Sequence, residues 1–225
     1  LVENTTGGTI NMTGSTIDDT GGTGIVIQNS AGNATIDNAL IVDSTATGIS
    51  VLNSSGTYFF RDTIRDATTI TNATGASVLI DGLQSTGRVN FENLDIISPQ
   101  GGGIDIDNLE GVFSFARDLT IGQAAAGSVA PFISVSNSLA TGVVNFGGDI
   151  TIFATPTAPA TFSGGRGIEL VSNAAGSSFT ATGQTNITSV GAEGIAIVND
   201  SSDVIFGTAT SGGASIVEPL LQGLS

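Results

Sequence analysis

A short motif, Gly-Ile-x-Ile-x-Asn, recurs along the whole chain and constrains its fold more than any other feature. Clear copies begin at Gly24, Gly48, Gly103 and Gly194. Each copy alternates apolar and polar residues, as expected of a short strand with one buried face. Its last position is occupied, in order, by Asn4, Asn29, Asn53, Gly82, Asn108, Asn137, Asn173 and Asn199. Successive copies are 24 to 36 residues apart, and a strand repeat of this length indicates a solenoid.

Two further strands follow each copy and complete a coil. The second strand carries one large apolar residue, and these residues are Ile36, Phe60, Phe91, Phe115, Phe146, Phe179 and Phe206. A third strand has the form Leu-x-Ile, as at Leu94 and Leu119. The pattern predicts an all-β, right-handed parallel β-helix of about eight coils, with three short strands in each. We expect the large residues, six Phe in one register, to stack inside the coil, and the Asn side chains to form a structural ladder at one corner.

The whole chain, 1–225, is interpreted as a single β-helix domain, and two stretches depart from its repeat. Residues 154–165 are rich in Pro, which cannot donate to a strand ladder, so a protruding loop is predicted there. Residues 216–225 lack the pattern and are predicted to be an end cap or a linker. Because the chain begins in mid-repeat, we interpret it as a segment of a longer protein.

The composition excludes several classes of function. Cys, His and Trp are absent, which rules out disulfides, thiolate chemistry and a Ser-His-Asp triad in this chain. The net charge of −15 argues against binding to nucleic acid. No apolar run reaches the roughly 18 residues of a membrane-spanning helix, so no direct membrane insertion is expected. These features favour a soluble extracellular or cell-surface protein.

One acidic cluster is a candidate metal site. The two Ile of each motif point inward and the intervening residues outward, so Asp105 and Asp107 share an outer face with Asp81, one coil earlier. Carboxylate oxygens are the ligands that Ca²⁺ prefers. The simpler interpretation, which we favour, is an acidic surface solvated by water. No cofactor is expected, with calcium as the single alternative, and no catalytic residue is assigned.

The motif, its Gly turn, the Phe strand and the Leu-x-Ile strand together resemble the β-helical repeats of large bacterial surface and secreted exoproteins. These include proteins like filamentous haemagglutinin and autotransporter passengers. The resemblance implies a structural or adhesive segment of an extracellular fibre, stalk or surface protein. It also implies self-association, by strand stacking or end-to-end contacts, and a glycan or cell-surface receptor as a further partner.

Two alternatives remain open: a Ca²⁺-dependent polysaccharide lyase or other glycan-active β-helix, and a receptor-binding module like a phage tailspike. A lyase needs a base, and because the chain has no Lys the candidates are Arg61, Arg65, Arg88, Arg117 and Arg166. The outer column of the motif strands offers no aromatic platform for a sugar, and Tyr58 is the single Tyr. We therefore expect a protein without enzymatic activity.

Overall fold

The computed structural model describes residues 1–62, 67–122, 130–153, 165–188, 190 and 192–207, and the backbone of 213–217. The described chain forms strands and no helix, so it contains no helix long and apolar enough to cross a membrane. Twenty-four strands make three parallel sheets of eight strands each. The chain visits the three sheets in turn, which gives three strands per coil and about seven turns. The predicted all-β parallel solenoid is confirmed.

The strands are numbered in chain order. The first sheet contains the motif strands: β1 (Val2–Glu3), β4 (Ile25–Gln28), β7 (Ile49–Leu52), β10 (Val78–Asp81), β13 (Ile104–Asp107), β16 (Ile133–Ser136), β19 (Ile168–Val171) and β22 (Ile195–Val198). The second sheet contains β2 (Thr9–Thr13), β5 (Asn33–Asp37), β8 (Thr57–Arg61), β11 (Arg88–Phe91), β14 (Val112–Phe115), β17 (Val143–Phe146), β20 (Ser178–Ala181) and β23 (Asp203–Phe206). The third sheet contains β3 (Thr16–Asp18), β6 (Leu40–Val42), β9 (Thr68–Thr71), β12 (Leu94–Ile97), β15 (Leu119–Gly122), β18 (Ile150–Phe153), β21 (Gln184–Thr188) and β24 (Gly213–Val217).

Apolar side chains at alternate strand positions point inward and form one continuous core. In the first sheet, Ile27, Val51, Ile80 and Ile106 occupy one column and are fully buried. Each is covered by the equivalent residue of the neighbouring coils, which removes its apolar surface from water at roughly 25 cal/mol per Å². The period-2 pattern of each strand thus becomes a core that runs along the solenoid axis.

A column of aromatic rings runs through this core along the second sheet. Phe60, Phe91, Phe115 and Phe146 pair in register on four successive strands, and Ile36 precedes them. Their ring centroids are 4.5 to 5.1 Å apart, with interplanar angles of 10 to 16°. This spacing follows from the ~4.8 Å between neighbouring strands, which places equivalent rings at stacking distance.

Phe179 does not share that register. The residue of β20 that pairs with Phe146 is Ala181, and Phe179 pairs with Val144, two positions earlier. Its ring nevertheless lies 5.5 Å from Phe146 and 5.4 Å from Phe206, tilted by 45° and 46°. The small Ala181 leaves space in the column, and Phe179 fills it from the next inward position. The prediction of one register for every Phe is therefore wrong at this residue.

Each strand of the first sheet ends at a residue with a left-handed backbone. The φ angle lies between 46° and 68° at Asn4, Asn29, Asn53, Gly82, Asn108, Asn137, Ser172 and Asn199. Asn adopts this conformation more readily than most residues, and Gly has no Cβ to oppose it. These residues therefore turn the chain at the end of each strand. The Asn side chains at this corner are exposed.

Asn173 is not one of these corner residues. Since β19 ends at Val171, the corner falls on Ser172, and Asn173 follows as a buried residue. Its Oδ1 accepts a hydrogen bond from the backbone N–H of Ser138 (2.8 Å), and its Nδ2 donates to the backbone oxygen of Val135 (3.1 Å) and to Asp200 Oδ2 (2.5 Å). The prediction that Asn173 belongs to the corner ladder is wrong, because its copy of the motif has one extra residue.

The two stretches that depart from the repeat lie largely outside the described residues. Of the loop predicted over 154–165, the structure describes Gly165 alone. Of the segment 216–225, it describes Ile216 and Val217, which belong to β24 and pair in parallel with β21. The loop and the end cap stay predictions.

Candidate functional site

The three Asp residues predicted from the motif lie on the outer face of the first sheet. Asp81 and Asp107 are opposite each other on β10 and β13, whereas Asp105 is opposite Leu79. The repeat therefore brings Asp81 and Asp107 side by side on neighbouring coils. Asp105 lies on the same face, two positions before Asp107 along β13.

Hydrogen-bond donors of the corner hold the two neighbouring carboxylates. Asn108 Nδ2 donates to Asp81 Oδ1 (3.0 Å) and to Asp107 Oδ2 (2.7 Å). Asp107 Oδ1 also accepts from Ser136 Oγ (2.9 Å) and from Asn137 Nδ2 (2.8 Å). The side chains of Asn108, Ser136 and Asn137 therefore stabilise the Asp81–Asp107 pair by hydrogen bonds.

Asp105 is in a different environment. Its half-buried position, and after that the nearby charge of Asp107, raise the pKa of its carboxyl above the usual range. The charge of Asp81 adds to this increase, and a hydrogen bond with Ser134 opposes it. The charged form of the Asp105 carboxylate is thus disfavoured in the folded chain.

Another acidic triplet has the more convergent geometry. Asp18, Asp19 and Asp43 each place a carboxylate oxygen within 4.8 Å of the other two. They are the one such group in the part of the chain that the structure describes. All three residues are exposed, and Asn72 Nδ2 donates to Asp43 Oδ1 (2.8 Å). The cluster predicted from the motif does not form such a group, and calcium binding there stays a prediction.

A groove of about 380 Å³ crosses the outer face of the second sheet. Its floor is a column of outward residues, Phe59, Asn90, Ser114 and Asn145, which pair in register on β8, β11, β14 and β17. Ser114 Oγ donates to Asn90 Oδ1 (2.6 Å). The groove therefore combines one aromatic ring with a row of polar groups that repeats at the strand spacing of ~4.8 Å.

An arginine and a carboxylate border this groove. The guanidinium carbon of Arg61 lies 5.0 Å from the ring centroid of Phe59, within the range of a cation–π contact. Glu92 also lines the groove, and its Oε2 accepts a hydrogen bond from the backbone N–H of Asp62 (3.1 Å). The groove thus has a donor group and an acceptor group at its border.

Asp62 and Glu92 are two carboxylates in contact with each other. Burial, and after that a hydrogen bond with Glu92, raise the pKa of Asp62. Hydrogen bonds from the side chain and the backbone of Asp62 lower the pKa of Glu92. Asn93 Nδ2 donates to Asp62 Oδ2 (2.5 Å), and the charge of Arg117 favours both ionised forms. Glu92 is therefore the member of the pair that keeps its charge most readily and serves as the acceptor.

Four of the five arginines considered as bases lie in the described part of the chain. Arg65 lies outside the described residues, and the structure describes Arg61, Arg88, Arg117 and Arg166. Arg166 forms an ion pair with Glu169 and, from Nε to Oε2 at 2.8 Å, with Glu193. The bond to Glu193 is the main reason why the pKa of Arg166 is raised, and an arginine held in its charged form is a poor base.

Sequence reasoning missed the groove because it considered the outer column of the motif strands alone. The signal was present in β8, where Tyr58 and Phe60 are buried and Phe59, between them, must point outward. The Asp62–Glu92 pair was missed as well. Its members follow equivalent strands of successive coils, so their contact depends on the register between β8 and β11.

No protein-family model, curated protein or solved structure matches this chain. The resemblance to β-helical exoproteins therefore rests on the repeat itself. What the structure establishes is the coarser assignment, a parallel β-solenoid with three strands in each coil.

Proposed function

We propose that this chain is a structural and adhesive segment of an extracellular bacterial fibre, stalk or surface protein, and that it assembles through contacts between the ends of its coils. The observation that supports this function most directly is the ladder of three parallel sheets, whose end strands have a partner on one side only within the described part of the chain. Unpaired strand edges pair readily with another strand.

The first coil exposes apolar residues that the central coils bury. Leu1 is 81% exposed and Ile10 is 37% exposed, although Ile10 pairs with Ala34 in an inward column. Together with Met12 and Ile17 they line a hollow of about 200 Å³. A further coil of the same kind would cover this hollow and pair with β1, β2 and β3.

The opposite end of the first two sheets is also apolar. Ile197 and Val198 on β22 are each 37% exposed, and Ile205 on β23 is 52% exposed. A contact between two different ends of identical chains is head-to-tail, and repeated head-to-tail contacts that do not close into a ring produce a filament. We infer that a second copy of this chain can cover the first coil in this way.

Electron microscopy of the purified chain tests this assembly. We expect filaments whose axis follows the coils, and more of them as salt is raised from about 0.01 M to about 0.15 M, because the screening length falls from about 30 Å to about 8 Å and the chains carry a net charge of −15. Ile10→Lys should abolish the filaments, because a charge in the contact would be desolvated without a partner.

Leu139→Lys is the matched control, since Leu139 is 45% exposed but lies between β16 and β17, away from both ends. It should leave the filaments unchanged. Monomers at every salt and protein concentration, or equal losses in the two variants, would contradict assembly through the coil ends.

A further inference from the structure

We propose that the groove on the outer face of the second sheet binds a neutral glycan. This inference deepens the adhesive part of the proposed function, because it names the class of ligand that the fibre would hold. The groove has a volume of about 380 Å³, within the range of roughly 300 to 1,000 Å³ that is usual for small-ligand sites.

The floor of the groove supplies polar groups at a regular spacing. Asn90, Ser114 and Asn145 are in register on three neighbouring strands, and Asn145 is exposed. The bond from Ser114 Oγ uses Oδ1 of Asn90. Within the described residues, the Nδ2 of Asn90 remains available as a donor. Amide groups donate and accept hydrogen bonds, as the hydroxyl groups of a sugar do. A linear glycan along the solenoid axis would meet a new polar residue every ~4.8 Å.

One end of the groove supplies an apolar ring beside a charged donor. Phe59 is half-buried on the outer face of β8, where its ring offers a surface for the C–H groups of a sugar. The cation–π contact positions Arg61. Among the described residues, Arg61 forms no ion pair within 4.0 Å, so its guanidinium N–H groups can donate to a ligand.

Charge selects a neutral glycan over an acidic one. The donor Arg61 is balanced at the groove border by the carboxylate of Glu92, beside Asp62. The chain as a whole carries a net charge of −15, which repels a polyanion such as a uronic-acid polymer. A ligand without charge that both donates and accepts hydrogen bonds fits this arrangement, because Arg61 and Glu92 can each bind a hydroxyl group.

Two measurements test the inference. The chain is first applied to an array of neutral and acidic oligosaccharides. Calorimetry then measures its affinity for the hexasaccharide that gives the strongest signal. We expect the wild-type chain to bind a neutral member of the array. Phe59→Ala and Asn145→Ala should each weaken the binding at least tenfold, because they remove the apolar surface and an exposed polar contact of the groove.

Matched controls lie on the outer face of the third sheet. Phe153 is half-buried on β18 and Asn186 is half-buried on β21, both at outward positions. Phe153→Ala and Asn186→Ala should leave the affinity within twofold of the wild type. Circular dichroism of every variant separates lost binding from lost fold.

Three results would overturn the inference: no neutral oligosaccharide binds, the acidic members alone bind, or the control variants lose affinity as much as the groove variants. The measurement uses the chain at low salt, where filaments are not required. Glycan binding by a chain that stays monomeric at every salt and protein concentration would contradict the assembly alone, and filaments without glycan binding would contradict the groove alone.

Discussion

One column of the core is closed in the middle of the solenoid and open at its first coil. Phe91 lies between Phe60 and Phe115 and is 1% exposed. Met12 occupies the equivalent position on β2, but among the described strands it has a neighbour on one side only, at Ile36, and it stays partly exposed. Both side chains point inward from parallel strands, so the difference comes from the number of coils that cover them.

This comparison shows that burial in the solenoid depends on the neighbouring coils. A single coil cannot enclose its own apolar residues, and each interface between coils contributes its own share of the stability. The central coils have two such interfaces. The first coil has one in the described chain, and the apolar surface that remains there is the basis of the proposed assembly.

The largest expected effect comes from removing a ring that is covered on both sides. Phe91→Ala should lower the free energy of unfolding by about 3 to 5 kcal/mol, as is usual for a buried Phe. Met12→Ala should lower it by only about 1 kcal/mol, because part of that side chain is already in water. Urea unfolding of the monomer measures both values. Equal losses would show that the end coil is as well packed as the centre.

The next largest effect tests the one irregular step of the aromatic column. Phe179→Ala alone should cost about 3 to 5 kcal/mol. Adding Ala181→Phe to the same chain should recover at least about 2 kcal/mol, because a ring at 181 would pair in register with Phe146 and would fill the space that Phe179 now occupies. Urea unfolding of the single and double variants provides the comparison. A double variant no more stable than Phe179→Ala would show that the tilted arrangement is required.

The sequence was sufficient for the architecture because a strict repeat specifies the same contact many times. It specified three strands per coil, the corner after each motif strand and the adjacency of Asp81 to Asp107. It failed where one copy deviates, at Asn173 and Phe179. The corner position is occupied by Ser172, and Asn173 lies one residue later. The position in register with Phe146 is occupied by Ala181, and Phe179 lies two residues earlier.

Contacts between side chains were less predictable than the path of the backbone. The bridge from Asn108 to two carboxylates depends on side-chain rotamers, which the period of the repeat does not specify. The Asp62–Glu92 contact depends on pairing between residues that are 30 positions apart. A periodic pattern predicts which face a residue occupies, but it does not predict which groups on that face bind each other.

A smaller effect distinguishes Asn from Gly at the corner that follows each strand of the first sheet. Asn108→Ala should destabilise the chain by about 1 to 2 kcal/mol, because Ala is strained at a φ of 52° and the donor to two carboxylates is lost. Gly82→Asn should stay within about 0.5 kcal/mol of the wild type, because Asn tolerates this backbone.

In Gly82→Asn, the new Cβ would lie 2.5 Å from Asn53 Oδ1. The Asn53 side chain is exposed, so its end can move away. Thermal unfolding of the two variants measures these changes. A large loss for Gly82→Asn would show that the corner has no room for a side chain in this coil, and an unchanged Asn108→Ala would show that the corner does not require Asn.

The smallest expected effect is a change of melting temperature with pH. It compares Asp105, half-buried in a central coil, with Asp203, exposed near the end of the solenoid. Burial and the charge of Asp107 raise the pKa of Asp105 in the folded chain. The folded state therefore binds a proton at a higher pH than the unfolded state does, so the ionised residue destabilises the fold at neutral pH. This destabilisation disappears as the pH falls through the raised pKa towards the unfolded value of about 3.9. Asp105→Asn should thus raise the melting temperature at pH 7 and have no such advantage near pH 4.

Asp203→Asn is the control, since Asp203 is exposed on β23 and its replacement should change the melting temperature little at either pH. Circular dichroism melting curves between pH 4 and pH 8, with a chelator present, measure both variants. A gain at pH 4 equal to that at pH 7 would contradict an electrostatic cause. Repeating the measurement with Ca²⁺ tests the predicted ion site, because an ion bound at Asp105 would stabilise the wild type and not the Asn variant.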